Sequence, residues 1–115
     1  MLNNIRTARA LQPVTQSPKL VTAATRHARD LARTRRLSHR GSDGSSMIER
    51  AGRSDYAYCF VAENIARGQP DTEAVMRDWM ASPGHRANIL SPRAKEFGLA
   101  RADDTWVLVL GDASC

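Results

Sequence analysis

The chain has 115 residues, enough for one compact domain spanning residues 1–115 and too few for two of ordinary size. Apolar residues make up 42% and charged residues 25%, a globular balance that excludes a disordered chain. No apolar run approaches the ~20 residues of a transmembrane helix. The net charge of +5 is uneven, with eleven basic and three acidic side chains in residues 1–53 but six and nine in residues 54–115. Such an excess suits an anionic partner. No Phe, Tyr or Trp precedes Tyr56, however, so base-stacking side chains are missing and no nucleic-acid partner is expected.

Leu2, Ile5 and Ala8 begin a short helical pattern that fades at Leu11-Gln12-Pro13. Ser17-Pro18 reads as an N-cap followed by proline at the first helical position. From there Leu20, Ala23, Ala24, His27, Ala28, Leu31 and Ala32 recur at helical spacing, with Lys19, Arg26, Arg29 and Arg33 on the other side. The buried stripe is largely alanine, which lets a neighbouring element approach closely. Much of the basic excess is the wet face of this helix. Residues 37–46 form a loop by composition, and Ser46 caps a short helix through Met47, Ile48 and Arg50, ended by Gly52. Tyr56–Ile65 is apolar and β-prone, a buried strand. After Gly68-Gln69-Pro70, Asp71 caps a helix that buries Val75, Met76, Trp79 and Met80. Ser82-Pro83-Gly84 stops it and starts a short one through Ala87–Leu90, closed by Pro92. Glu96–Arg101 and Thr105–Leu110 read as a hairpin turning at Ala102-Asp103-Asp104. The order implies an α+β fold with helices covering a small sheet.

Three histidines and one awkward acid carry the candidate chemistry. His27 sits at the edge of the apolar stripe and reads as a packing residue. His39 and His85 lie in a loop and at a helix start, where binding groups concentrate. Glu63 follows Phe60-Val61-Ala62 near the end of a buried strand, so its charge needs solvent or a cationic partner, a histidine or a metal. Two imidazoles and a carboxylate would supply three ligands with an open position, as in catalytic zinc sites. The separations, 24 residues from His39 to Glu63 and 22 more to His85, match no local metal motif. No H-E-x-x-H, G-x-S-x-G, C-x-x-C or G-x-G-x-x-G occurs. Cys59 and Cys115 are either a disulfide or two bystanders. Export would favour the bridge, and the apolar surroundings of Cys59 disfavour a catalytic thiol. Trp79 and Trp106 read as core anchors. Met1–Arg6 lacks the apolar core of a signal peptide, so either the protein is cytoplasmic or an export signal is absent from this chain.

Leu37-Ser38-His39, Ala62-Glu63-Asn64-Ile65-Ala66 and Trp79-Met-Ala-Ser-Pro-Gly-His85-Arg-Ala-Asn-Ile-Leu90 together resemble bacterial members of the CAP superfamily: cysteine-rich secretory proteins, antigen 5 and pathogenesis-related proteins. The resemblance runs over essentially the whole chain, and the Ser82–Leu90 block is its most specific part. It implies a three-layer α-β-α sandwich with a small, mainly antiparallel central sheet. It also implies a groove where His39, Glu63 and His85 face one another, and a secreted, periplasmic or envelope location. A branch of the family adds a second glutamate shortly after the penultimate-helix tryptophan. Here Trp79-Met80-Ala81-Ser82 has no acid, leaving Ser82 or a water to stand in and weakening any mechanism that needs two carboxylates.

Three functions follow as expectations. The first is a monomeric, non-catalytic module that binds a divalent metal, zinc above all, or a small ligand at His39, Glu63 and His85. The second is a metal-assisted, peptidase-like hydrolase using the same residues, with Glu63 as ligand or base. The third is an envelope protein that docks anionic lipid or glycan through Arg26, Arg29, Arg33, Arg35 and Arg36.

Overall fold

A computed structural model describes all 115 residues. Its elements are, in chain order, α1 (Leu2–Thr7), β1 (Thr15–Gln16), α2 (Pro18–Thr34), α3 (Met47–Arg53), β2 (Phe60–Arg67), α4 (Thr72–Met80), α5 (Pro83–Ile89), β3 (Glu96–Ala102) and β4 (Thr105–Asp112). The sheet order is β1-β3-β4-β2, with β4 antiparallel to both β3 and β2 and the two-residue β1 parallel to β3.

Alternation along β4 decides the layering, because successive side chains point to opposite faces of a sheet. Trp106, Leu108 and Leu110 join Leu2, Val75, Met76, Trp79 and Ile89 in one apolar cluster, which packs α1, α4 and α5 on that face. Val107 and Val109 join Leu20, Ala24, Ala28, Leu31 and Ala51 in the other, beneath α2 and α3. A strand buried on both faces reads as a continuous apolar run rather than an alternation. The product is a three-layer α-β-α sandwich with a mainly antiparallel sheet. No helix is long and apolar enough to cross a membrane.

Local chemistry sets the helix ends. Ser17 accepts the Leu20 N–H at the start of α2 with Pro18 behind it, Asp71 accepts the Ala74 N–H in α4, and Ser46 and Glu49 form a reciprocal capping box on α3. The alanine stripe of α2 does bring a neighbour close. A Cβ at Gly98 of β3 would collide with the main chain of Leu20 and Val21, so α2 rests on the sheet where one strand position has no side chain.

Several boundaries fall elsewhere than the sequence pattern places them. The helix begun at Ser46 passes through Gly52 to Arg53, and its exit is made by Asp55 in the left-handed region at φ 62°. Tyr56 then returns its N–H to Ala51 and is buried against that helix, so β2 begins four residues later than Tyr56, at Phe60. The last helix begins at Pro83, where Ser82-Pro83-Gly84 places it, and ends at Ile89, one residue short of Leu90. Strand β1 is too short to carry any periodicity, and only its parallel pairing with Glu96 and Phe97 defines it.

Two long-range ties close the structure. Arg6 is fully buried and gives its guanidinium to the carbonyls of Gln12, Ile89, Ser91 and Ala94, bolting the N-terminal helix to the segment after α5. Phe60 pairs with Asp112 across the β2–β4 ladder, which sets Cys59 beside Cys115. They form a disulfide with a Cα–Cα separation of 5.8 Å.

Candidate functional site

Glu63 sits in the middle of β2 with its side chain on the α2–α3 face, the face of its strand neighbours Val61 and Ile65. That position takes the carboxylate out of water; its side chain is 1% exposed. Three cations or potential cations converge on it. Arg50 of α3 gives both carboxylate oxygens a hydrogen bond from Nη2, at 3.0 and 2.8 Å, and its Nη1 donates to the Ser45 carbonyl at 2.8 Å. His39, from the loop after α2, places Nδ1 3.0 Å from Oε1. His27 of α2 lies 3.7 Å from the same oxygen.

The tautomers follow from who can accept. A carboxylate and a carbonyl only accept, so His39 donates its Nδ1–H to Glu63, leaving Nε2 free of protein partners. His27 donates Nε2–H to the Ser38 carbonyl at 2.9 Å, fixing the backbone next to His39. Its Nδ1 is buried without a partner. Burial would raise the Glu63 carboxyl, but the His39 hydrogen bond and the Arg50 charge outweigh it and hold the group below the ordinary glutamate value. The hydrogen bond to Glu63 raises His39, with partial burial opposing. Desolvation dominates at His27 and lowers it. Glu63 is therefore held as the anion, His27 is biased toward its neutral form, and His39 toward its cationic one.

The loop that delivers His39 is laced to the helices around it. Asp30 accepts from the Ser42 N–H at 2.8 Å and from Arg33 at 2.7 Å, and Asp43 pairs with Arg53 at 2.6 Å. On the opposite bank, Asn88 of α5 donates to the Glu63 carbonyl at 3.3 Å and to the Asn64 side chain at 2.9 Å. Asn64 in turn donates to the His85 carbonyl at 3.0 Å. Between the banks runs a groove of about 770 Å³, lined by Ser38, His39, Arg40, Ser46, Met47, Asn88 and the stretch Phe60–Glu63. Its size falls in the usual range for ligand sites, roughly 300–1,000 Å³.

His39 and Glu63 are thus brought together; His85 does not join them. Its ring has no hydrogen bond or ion pair, it does not line the groove, and the residue's contribution is its main-chain carbonyl. The three residues do not fit the expected zinc site. No three His, Cys, Asp or Glu side chains come within reach of a common ion, and Arg50 already occupies both oxygens of Glu63 with a positive charge. Ser82 does not line the groove and so does not stand in for the absent second acid. Nor is there a nucleophile held by a base: the groove's Ser38 and Ser46 hydroxyls accept from the main chain of Arg40 and Glu49. On the Arg-rich helix and the turn after it, Arg26, Arg29, Arg33, Arg35 and Arg36 are exposed.

Sequence reasoning missed Arg50, Asn88 and the electrostatic place of His27. The requirement for a cationic partner of Glu63 was legible. In the fold the guanidinium at position 50 satisfies it, and the Ser46 cap was the cue that marked the helix carrying it.

The profile of the cysteine-rich secretory protein (CAP) family matches residues 1–109. YkwD of Bacillus subtilis is 29% identical over 99 residues, which are 86% of this chain and 38% of that protein. An extracellular SCP-domain protein of Bacillus anthracis superposes with a TM-score of 0.93 at 24% identity, over 96% of this chain and 37% of that one. An outer surface protein of Borrelia burgdorferi gives 0.88 at 20% identity, over 96% of this chain and 86% of its own. The chain thus spans well under half of YkwD and of the Bacillus anthracis protein. The sandwich and the profile match over nearly the whole chain agree: this chain belongs to the cysteine-rich secretory protein (CAP) family.

Proposed function

We propose that the protein is a secreted or cell-envelope binding module whose ligand site is the groove along β2, working without catalysis. The observation that carries this is the state of Glu63. Its charge is neutralised by Arg50, the groove's Ser38 and Ser46 hydroxyls are engaged by main-chain N–H groups rather than by a base, and the lining holds no second carboxylate. What remains is a cavity with an apolar floor of Phe60, Val61 and Ala62 and a polar rim of His39, Arg40 and Asn88, the composition of a recognition site. The extracellular and outer-surface relatives and the Cys59–Cys115 disulfide support the location.

An apolar anion tests the reading. Anilinonaphthalene sulfonate should bind the folded protein with one-to-one stoichiometry, and Met47→Trp, which fills the groove from α3, should abolish its fluorescence while the melting temperature stays within a few degrees. Equal dye binding by both proteins would remove the groove as the ligand site.

A further inference from the structure

We propose that the groove takes an extended, acidic peptide segment, which adds as a strand to the free edge of β2. The proposal rests on reading the groove as the ligand site and names the class of ligand. Strand β2 is the last in the sheet order β1-β3-β4-β2, so one side of its backbone has no strand partner. In an antiparallel pair, alternate residues turn their N–H and C=O toward the neighbouring strand. The Glu63 and Ile65 carbonyls receive hydrogen bonds from Asn88 and from the Trp79 indole, so the odd-numbered residues of β2 face away from β4. By the same alternation the N–H and C=O of Val61 and the N–H of Glu63 also face outward. No side chain or loop backbone pairs with them, and the groove opens over that stretch.

Helices α4 and α5 cover the edge from Glu63 onward through Trp79 and Asn88, while Phe60–Ala62 is left open. Free edges are ordinarily blocked by proline, lysine or a bulge. Phe60–Ala66 contains no proline or lysine, and its ladder to β4 runs without a bulge. Its one charged side chain, Glu63, turns to the α2–α3 face and is cancelled by Arg50. An open row of alternating donor and acceptor along a cavity floor matches a peptide backbone, the arrangement by which edge strands accept added strands.

The flanking charges set the peptide's character. His39 is raised toward its cationic form and its side chain is 58% exposed. Arg40 lies on the same bank, exposed, and the Arg93 guanidinium sits 4.7 Å over the Phe60 ring. The only acid in the lining is the neutralised Glu63. A strand with acidic side chains on its solvent face would satisfy these cations, whereas a basic one would meet repulsion.

The test uses blocked hexapeptides in which glutamate alternates with valine or threonine, a matched set with lysine for glutamate, and a set N-methylated on alternate amides in either phase. Titrated into the isotopically labelled protein, the glutamate set should slow exchange of the Val61 and Glu63 amides by about tenfold or more, and binding should weaken with salt. Methylation in one phase should abolish binding and in the other spare it, because only alternate amides of an added strand point at β2. Equal binding by both methylated phases, equal binding by the lysine set, or no binding by the glutamate set would overturn the proposal. Dye binding that is still lost in Met47→Trp would then leave the groove reading standing without the peptide. Loss of both signals would remove both.

Discussion

Replacing Arg50 by methionine tests the electrostatic account of the site. The substitution keeps an apolar stem of similar length and removes three hydrogen bonds, two to Glu63 and one to the Ser45 carbonyl. Glu63 is then a carboxylate with a side chain 1% exposed, held only by His39 and the distant ring of His27. Breaking a buried pair from one side costs about 3–5 kcal/mol, mainly because the remaining charge is left unpaired. The hydrogen bond from His39 offsets part of this, so the lower figure applies, about 3 kcal/mol. With the usual unfolding entropy per residue, 115 residues convert that into a fall in Tm of roughly 12 °C. Thermal and urea unfolding followed by circular dichroism at pH 7 would measure it. Combining Arg50→Met with Glu63→Gln removes both charges and should recover at least half of the loss, a coupling that a double-mutant cycle isolates. Glu63 is depressed in the native protein, so its contribution is present above the unfolded glutamate value of about 4.3 and lost as pH falls through the lower folded one. The gap between native protein and Arg50→Met should therefore narrow in acid. A Tm change under about 4 °C, or a double variant no more stable than Arg50→Met alone, would refute the reasoning.

Gly98→Ala should destabilise by at least the 1–3 kcal/mol or so of ordinary overpacking, since the new methyl meets α2 main chain that cannot rotate aside; a variant within 0.5 kcal/mol or so of the native protein would contradict the close approach. His39→Ala should cost less than about 1 kcal/mol, given the exposure of the ring. Because His39 is raised in the fold, that cost should be full below the unfolded histidine value of about 6.5 and vanish as pH rises through the folded one; a cost that grows with pH would reverse the assignment. Replacing both Cys59 and Cys115 by serine should remove up to about 4 kcal/mol, the chain-entropy value for a bridge spanning 56 residues, while circular dichroism stays native because the β2–β4 ladder remains. Unchanged unfolding would show that the bridge does not restrain the denatured chain. Zinc in large excess should leave the Tm unmoved; a rise abolished by both His39→Ala and His85→Ala would restore the three-ligand site.

The sequence alone determined what depends on near neighbours. Ser17-Pro18, Ser46 and Asp71 mark helix starts because a side-chain oxygen reaches a backbone N–H two or three residues away. The hairpin of β3 and β4 follows from two β-prone runs and a short turn. The alanine stripe of α2 foretold a close contact, and the Ser82–Leu90 block carried the resemblance to the family. Glu63 stood out because a carboxylate amid Phe60, Val61 and Ile65 must find a cation.

Which cation it finds was not local information. Arg50 lies 13 residues before Glu63 and His39 lies 24, and neither offset says anything about distance in space. Strand register turns Glu63 to the α2–α3 face, and the packing of α3 on that face delivers the guanidinium. The same register leaves His85 as a main-chain acceptor on α5 and sets Cys59 opposite Cys115. The basic excess divides in the same way. Exposed arginines on α2 are the solvated face their helical spacing describes, but Arg6 and Arg50 are buried, one capping carbonyls from three segments and the other cancelling a charge. Composition records both kinds as positive charge; only the fold distinguishes a solvated arginine from one that pairs with a buried carboxylate.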